Sequence, residues 1–285
     1  MNKIQFKKRL VIGSANFSNK YGVEQIKISH AEKKKILIFL KKNNIYTIDA
    51  AEGYLNNDNL FKNIDKKFEV ITKMKPDEKW ISLDYCRKKI SSHSKKFNGN
   101  KFSAFLFHNV DILFTNKGKK IFENIESLKK KFFFKIGLSI YDIKSLNFLT
   151  SNYNVDVIQC PYNVLDKRLI NSGWLKKLKK KGVETHVRSI FLQGLLVNKS
   201  IYKTKYFNKW NKKISVWFKK LEKSNISPVD YCLTDLLSHD FDKIIVGINN
   251  LENLNEIINF KTVNKNKMIN FKINDINLID PRNWK

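Results

Sequence analysis

The sequence predicts a single (β/α)8 barrel, an α/β fold in which eight parallel strands alternate with helices. Three observations support this prediction. The chain has 285 residues, and barrels of this type take roughly 250. Strand-like and helix-like segments alternate along nearly the whole chain, which favours a parallel sheet. Three successive strand-like runs each end in a titratable side chain, and such side chains gather at the C-terminal mouth of a barrel.

The N-terminal half supplies four strand–helix units. Its strands are rich in β-branched and aromatic residues, which favour a pleated, half-buried structure. They cover residues 10–16 with the following loop, 45–48, 68–72 and 102–107. Ser29 and Glu32 form the pattern of a capping box, in which hydroxyl and carboxylate satisfy free backbone N–H groups. The box predicts a helix that ends near Asn43, and further helices are predicted around 57–64 and over 83–96.

The C-terminal half repeats the alternation. Its predicted strands are 133–139, 155–160, 183–189 and 241–247. Its predicted helices are 121–131, with an apolar face, 143–150, a basic helix over 175–181 that Gly182 ends, 210–223, one that begins at Pro228, and 251–258. We therefore predict one domain over 1–285 with an irregular tail over 261–285. The end of that tail, 279–284, is placed to fold over the barrel mouth.

The composition is strongly basic, with 55 Lys and Arg against 26 Asp and Glu and a net charge of +29. Nucleic acid or an anionic membrane would suit such a charge. However, Lys, Asn, Ile and Phe are over-used together, as in proteins from AT-rich genomes, and no nucleic-acid motif accompanies the charge. We attribute the charge to codon bias and expect no nucleic-acid partner. A basic surface still attracts an anionic substrate.

Membrane and secretory classes are not indicated. No apolar run approaches the roughly 20 residues that span a bilayer, and the apolar stretch after the basic N-terminus is too short for a signal peptide. The three cysteines, Cys86, Cys160 and Cys232, lie far apart without a C-x-x-C pair. This spacing predicts a reduced cytoplasmic protein with neither a disulfide framework nor a zinc site.

Four reactive side chains follow consecutive predicted strands. Asp49 and Tyr54 come after the second strand, Lys73 after the third and His108 after the fourth. Reducing a carbonyl by hydride needs a general acid, and a free Tyr, with a pKa of about 10, is a poor donor at neutral pH. A nearby Lys lowers that pKa, a carboxylate keeps the Lys charged, and a His orients the carbonyl. Each residue alone has an ordinary structural interpretation, but their combination in this order indicates a catalytic site.

The chain resembles the aldo/keto reductase family of NAD(P)H-dependent (β/α)8 barrels. The resemblance is carried by I-D-A-A-E-G-Y (48–54), I-T-K-M (71–74), L-F-H-N (106–109), I-G-L-S (136–139), I-Q-C-P-Y-N-V-L-D-K-R (158–168), V-R-S-I-F-L-Q-G-L-L (187–196) and I-I-V-G (244–247). It implies an oxidoreductase acting on CH–OH groups. It also implies that Tyr54 is the acid/base, Lys73 tunes its pKa, Asp49 pairs with Lys73, and His108 orients the carbonyl.

The resemblance also implies NADPH or NADH as cofactor. Ser139 and Gln159 match positions that bind the carboxamide, and Arg188 stands where many members place an aromatic residue that stacks on nicotinamide. The full set of matching positions is Gly13, Ser14, Ser139, Gln159, Arg188, Ser189, Leu192, Gln193, Gly194, Gly247 and Glu256. Ser189 and the loop from Leu192 match the pyrophosphate segment. Glu256 matches the adenine side, and Gly13 and Ser14 the ribose side.

Two departures from the family pattern affect the cofactor. Ile140 follows Ser139 where many members have Asn. Where NADPH-preferring members carry Lys, Ser and Arg around the 2′-phosphate, this chain has Gly247, Ile248 and Asn253. We therefore predict dual cofactor use or a mild NADH preference, with Lys265 or Lys267 as substitute cations.

Other functions remain open. Lys73 suits a Schiff-base nucleophile of an aldolase or lyase barrel, which needs a lowered pKa. A non-catalytic nucleotide sensor of the same fold is a further alternative, and nucleic-acid binding rests on charge alone. The expected partner is a small-molecule carbonyl substrate, anionic or sugar-like. Its identity would be set by the loops after Asn109 and Gly194 and by the tail.

Overall fold

Eight parallel strands close into a barrel in the computed structural model, which describes residues 3–18, 22–23, 25–54 and 60–284. The strands are β1 Leu10–Gly13, β2 Thr47–Ala51, β3 Glu69–Met74, β4 Phe102–Phe107, β5 Phe133–Ser139, β6 Val157–Pro161, β7 Glu184–Arg188 and β8 Lys243–Gly247. Each pairs with the next in the chain, and β8 pairs with β1, so the sheet has no free edge. The predicted (β/α)8 barrel is confirmed.

Helices surround the barrel. They are α1 Lys3–Arg9, α2 Ala15–Ser18, α3 His30–Lys42, α4 Leu83–Lys95, α5 Gly118–Glu126, α6 Leu146–Asn152, α7 Arg168–Asn171, α8 Trp174–Lys180, α9 Asn211–Lys223, α10 Pro228–Leu237, α11 Leu251–Ile258 and α12 Ile276–Ile279. The predicted helix over 121–131 is too long at its C-terminal end, because Lys130 takes a left-handed conformation (φ 68°) that turns the chain back into β5. The start of the helix predicted around 57–64 lies outside the described residues, and Leu60–Asn63 forms one 3-10 turn.

The capping-box residues join two helices. Ser29 caps α3 as predicted, since its hydroxyl accepts the backbone N–H of Glu32 at 3.2 Å. The Glu32 carboxylate accepts the backbone N–H of Leu251, the first residue of α11, at 2.7 Å. A carboxylate is stabilised at a helix N-terminus by the free N–H groups and the helix dipole. This contact holds α3 against α11, which carries Glu256.

Successive side chains of each strand point to opposite faces, so the barrel has an outer and an inner layer of side chains. Outward side chains pack against the helices, while a small interior cluster fills the barrel with Val11, Ile71, Ala104, Leu106, Val157 and Ile245. Lys73 and Gln159 come two residues after Ile71 and Val157. Because successive residues of a strand point to opposite faces, both side chains lie inside the barrel, directly above the apolar cluster. At Gly137 the strands leave no room for a side chain, since a Cβ would lie 2.3 Å from the Val157 carbonyl oxygen.

The C-terminal tail packs across α10 and the loops that follow β6 and β7. Ile273, Leu278 and Ile279 are buried in one cluster with Leu192 and Trp217. The backbone of the tail is also held by polar contacts, such as the hydroxyl of Tyr231 donating to the carbonyl of Ile269 at 2.7 Å. Beyond α12, the tail reaches the loop after β5. None of the described helices has both the length and the apolar character needed to cross a bilayer.

Candidate active site

A buried ion pair forms the floor of the site. Lys73 and Asp49 come from adjacent strands, and each is 3% exposed. The Lys73 ammonium donates to Asp49 Oδ1 and, at 3.3 Å, to Gln159 Oε1. Gln159 Nε2 in turn donates to Asp49 Oδ2 at 2.8 Å. The three side chains close a triangle, so both buried charges have hydrogen-bond partners, as burial of charge requires.

Tyr54 and His108 lie over this pair. Tyr54 ends a 3-10 turn, Glu52–Tyr54, which directly follows β2. Its ring centroid is 5.7 Å from the Lys73 ammonium and 5.8 Å from the His108 ring, and the two rings stand at 90°. All four side chains line one cavity of about 480 Å³ at the C-terminal mouth of the barrel. The structure therefore brings together the four residues that the strand ends predicted.

The protonation of Lys73 reflects two opposing effects. Burial lowers the pKa of its ammonium, the ion pair with Asp49 raises it, and the positive charge of Arg188 lowers it further; the net shift is downward. The expectation that Asp49 simply keeps Lys73 charged is thus incomplete, because desolvation is the larger effect. The lowered pKa is also the property that a Schiff-base lysine needs.

His108 is a neutral imidazole at physiological pH. Burial, together with the charges of Lys73 and Lys75, lowers its pKa from 6.5 to about 4. A neutral imidazole still carries one N–H, so it remains a hydrogen-bond donor to a carbonyl oxygen.

We therefore expect no inflection from His108 in kcat/KM between roughly pH 5.5 and 7.5. Between pH 6.5 and about 4 the unfolded chain binds this proton more readily than the folded chain. His108 therefore weakens the fold progressively as the pH falls through that window. A pH–rate profile checks the expectation. An inflection near pH 6.5 that disappears in His108→Gln would contradict it.

Most of the predicted cofactor residues line the same cavity. Those in its wall are Gly13, Ser139, Arg188, Ser189, Gln193, Gly194, Gly247 and Glu256. The other three, Ser14, Gln159 and Leu192, are fully buried behind it. Gln159 is occupied by the ion pair, and the Ser14 hydroxyl has no hydrogen-bond partner among the described residues. Direct cofactor contact by any of the eleven residues stays a prediction.

The loop after β7 has an unusual backbone beside the cavity. Ser189 and Gln193 are left-handed, with φ of 63° and 51°, and Gly194 follows with φ of 89°. Non-glycine residues in this region carry strain, which tends to persist at binding and catalytic sites. At Gly194 a side chain would also be too close to Ile201, whose Cδ1 lies 2.7 Å from the position of a Cβ. Both the backbone conformation and the contact with Ile201 therefore disfavour a side chain at position 194.

Among the cavity residues that sequence reasoning missed, Lys199 and Tyr141 carry groups suited to ligand binding. Lys199 lines the wall and forms an ion pair with Glu222. It follows Gly194 by only five positions, but nothing distinguished it from the many other lysines. Tyr141, two residues after Ser139, also lines the wall. By contrast, Lys265 and Lys267 lie on an exposed 3-10 turn of the tail and are not part of the wall, so the structure does not support them as substitute cations.

A sequence model of the aldo/keto reductase family matches residues 9–278, nearly the whole chain. The chain belongs to the aldo/keto reductase family. Aldo/keto reductases are oxidoreductases, and their cofactor is NADPH or NADH, which agrees with the expectation from sequence. A search of curated protein sequences finds no significant match. Among the described residues, no cluster of His, Cys, Asp and Glu is suited to a metal ion.

Solved aldo-keto reductase structures share the fold of the chain. The holo form of an aldo-keto reductase from Bacillus halodurans has a TM-score of 0.70 at 15% identity, over 91% of this chain and 89% of the other. A glycerol dehydrogenase from Gluconobacter oxydans has 0.64 at 14%, over 91% and 88%. A thermostable aldo-keto reductase in complex with the inhibitor epalrestat has 0.68 at 16%, over 91% and 92%. At such low identity these likenesses show the fold alone.

Proposed function

We propose that this protein reduces an aldehyde or ketone to an alcohol with NADPH or NADH. One observation carries the proposal: the Tyr54 ring lies 5.7 Å from the Lys73 ammonium and edge-on to His108, inside a single cavity. The bound dinucleotide supplies the hydride. Tyr54 gives its proton to the carbonyl oxygen as negative charge develops there, and His108 donates a hydrogen bond that orients this oxygen. The Lys73 ammonium favours the phenolate that Tyr54 leaves behind.

The cavity wall suits a dinucleotide. It extends from the four reactive residues, past the left-handed loop after β7, to Asn253 and Glu256 of α11. Its volume of about 480 Å³ falls within the range of roughly 300–1,000 Å³ that ligand sites occupy. Arg188 and Lys199 offer charge-assisted donors, and Ser139 offers a neutral one. We assign Ser189, Gln193 and Lys199 to the phosphates, Ser139 and Arg188 to the nicotinamide end, and Glu256 to the adenine end.

A Schiff-base aldolase or lyase is the second candidate, favoured by the lowered pKa of Lys73. The contacts of Lys73 argue against it. Attack on a carbonyl would draw the amine away from Asp49 and Gln159 and leave the Asp49 carboxylate buried without its cation. Borohydride trapping distinguishes the two functions: a covalent adduct at Lys73 with a carbonyl substrate would favour the aldolase, and its absence together with cofactor oxidation favours the reductase.

The substrate is proposed to be an anionic or sugar-like carbonyl compound. Arg188 supports this proposal, because this cationic side chain lines the cavity wall and its guanidinium donates to the backbone carbonyl of Ile140. A panel of neutral, phosphorylated and carboxylated aldehydes, with oxidation of the reduced cofactor as readout, tests both the reaction and the substrate class. A cytoplasmic location is part of the proposal and rests on the three free, buried cysteines.

For the cofactor we expect dual use or a mild NADH preference. Ile248 is buried, and Gly247 and Asn253 offer no cation for a 2′-phosphate. Each missing charge-assisted hydrogen bond removes roughly 1.5–3 kcal/mol of possible preference. Titration of both cofactors at about 0.15 M salt, where the Debye length is about 8 Å, measures the ratio.

A preference for NADPH of a hundredfold or more would contradict this expectation, and Lys199 in the cavity wall would be the first cation to test. Lys199→Met would then abolish that preference, while Lys265→Met, outside the cavity wall, would leave it intact.

A further inference from the structure

The Tyr141 ring is covered by two guanidinium groups. The central carbons of Arg188 and Arg282 each lie 3.9 Å from its centroid. Two guanidinium groups stacked flat at that distance would collide on one face, which favours opposite faces. Arg188 ends β7 and Arg282 belongs to the tail, 94 positions further along the chain. The stack thus connects the tail to the wall of the active-site cavity, which Tyr141 and Arg188 both line.

The guanidinium of Arg188 is held on one of its faces and along one of its edges. Tyr141 covers the face, and Nη2 donates to the carbonyl of Ile140 at 3.1 Å. Only the second face of the Arg188 guanidinium and its remaining N–H groups are left to contact a ligand in the cavity. The orientation of this guanidinium therefore depends on the position of the Tyr141 ring.

Arg282 is itself held firmly. Its guanidinium pairs with the Asp280 carboxylate through Nε at 3.0 Å and Nη2 at 2.6 Å. Asp280 is 3% exposed, and its charge offsets that of Arg282, which reduces repulsion between the two cations of the stack. Nearby, the Trp284 indole N–H donates to Leu278 at 3.1 Å, so the tail end folds back on α12. A tail anchored in this way places Arg282 at a defined position.

We propose that Arg282 is a positioning residue that acts through Tyr141 to hold the Arg188 guanidinium in the wall of the active-site cavity. Without the planar group of Arg282 the Tyr141 ring is covered on one face only, and Arg188 gains alternative orientations. The consequence for catalysis rests on the proposed function: a mobile Arg188 binds the cofactor or substrate less tightly, while the proton transfer at Tyr54 is unaffected.

The test replaces Arg282 with Lys, which keeps the charge beside Asp280 but removes the planar face. Arg87→Lys is the matched control, because Arg87 also pairs with a nearby carboxylate, Asp84, and is similarly exposed. The first readout, NMR relaxation of the Arg188 Nε–H group, needs no cofactor. The signal of this group is identified by its absence from the spectrum of Arg188→Lys. We expect greater mobility in Arg282→Lys and no change in Arg87→Lys. Unchanged mobility in Arg282→Lys overturns the proposal.

The second readout is binding of NADH, followed by its fluorescence, together with KM and kcat. A guanidinium stacked on an aromatic ring contributes about a factor of three to ten in an equilibrium constant. Because Lys keeps the charge and loses only the planar face, we expect Kd or KM to rise by about two- to fivefold in Arg282→Lys, with kcat little changed. In a Tyr141→Leu background the same substitution should add nothing, because the ring through which Arg282 acts is gone. If instead the increases in Kd or KM caused by Arg282→Lys and Tyr141→Leu are additive in the double variant, the proposal is overturned. If the wild type binds no dinucleotide, the proposed function fails, and the NMR readout still decides the role of Arg282.

Discussion

Replacing Tyr54 with Phe is expected to reduce turnover by roughly 10²–10⁴-fold, the usual contribution of a positioned general acid. The substitution removes one oxygen and leaves the ring that stands against His108 and the Lys73 ammonium. Cofactor affinity should therefore stay almost unchanged. Steady-state kcat and an independent cofactor titration separate the two effects.

Tyr46→Phe is a suitable control for this prediction. Tyr46 precedes β2, is half-buried, and packs edge-on against Phe68 on the outside of the barrel, with ring centroids 5.6 Å apart. Loss of the Tyr46 hydroxyl should leave turnover unchanged. Full activity in Tyr54→Phe would mean that another group supplies the proton, and the roles proposed for the four residues would then be wrong.

The second large effect concerns stability. Lys73→Met leaves the Asp49 carboxylate buried without its cation, and breaking a buried pair in this way lowers the free energy of unfolding by about 3–5 kcal/mol. The double variant Asp49→Leu/Lys73→Met removes both charges, so part of this loss should be recovered; the rest remains because the buried Gln159 amide loses its hydrogen bonds to both residues. Activity should be absent from both variants. Urea denaturation measures the first effect and cofactor oxidation the second.

An exposed ion pair provides the comparison. Lys117 and Glu78 lie on the surface, and Lys117→Met should change the free energy of unfolding by at most about 1 kcal/mol. If Lys73→Met were no more destabilising than this control, the carboxylate of Asp49 would have to be neutralised or hydrated after the substitution. Burial of the ion pair would then make no difference to the free energy of unfolding.

The parts of the site that follow from local rules were predictable. Parallel strands bring their C-terminal ends to one mouth, so Asp49, Lys73 and His108 could be placed together. The predicted ends of two strands were too early, because β2 continues to Ala51 and β3 to Met74 and each holds its reactive residue inside the strand. Tyr54 lies only three residues beyond β2. The end of α5 was misjudged because its apolar pattern continues past Glu126, whereas the left-handed turn at Lys130 is required by the entry into β5.

Contacts between distant segments were not predictable. Gln159 bonds Asp49 across 110 positions, and no periodicity links them. The stack of Arg282 on Tyr141 has the same origin, because it depends on how the tail packs over the loops. Lys199 was hidden for a different reason: in a chain with 55 basic residues, one more lysine in a loop carries no signal.

The charged triangle at the floor of the site also has a meaning for folding. Asp49 and Lys73 come from the consecutive strands β2 and β3, whereas Gln159 of β6 follows Lys73 by 86 positions. In a partly formed barrel Asp49 and Lys73 remain hydrated, and their desolvation is imposed only when the sheet closes around them. Contacts of such long sequence separation form late, since the intervening chain must first be ordered. We therefore expect the triangle to be completed late in folding, so that a partly formed barrel leaves these charges in contact with water.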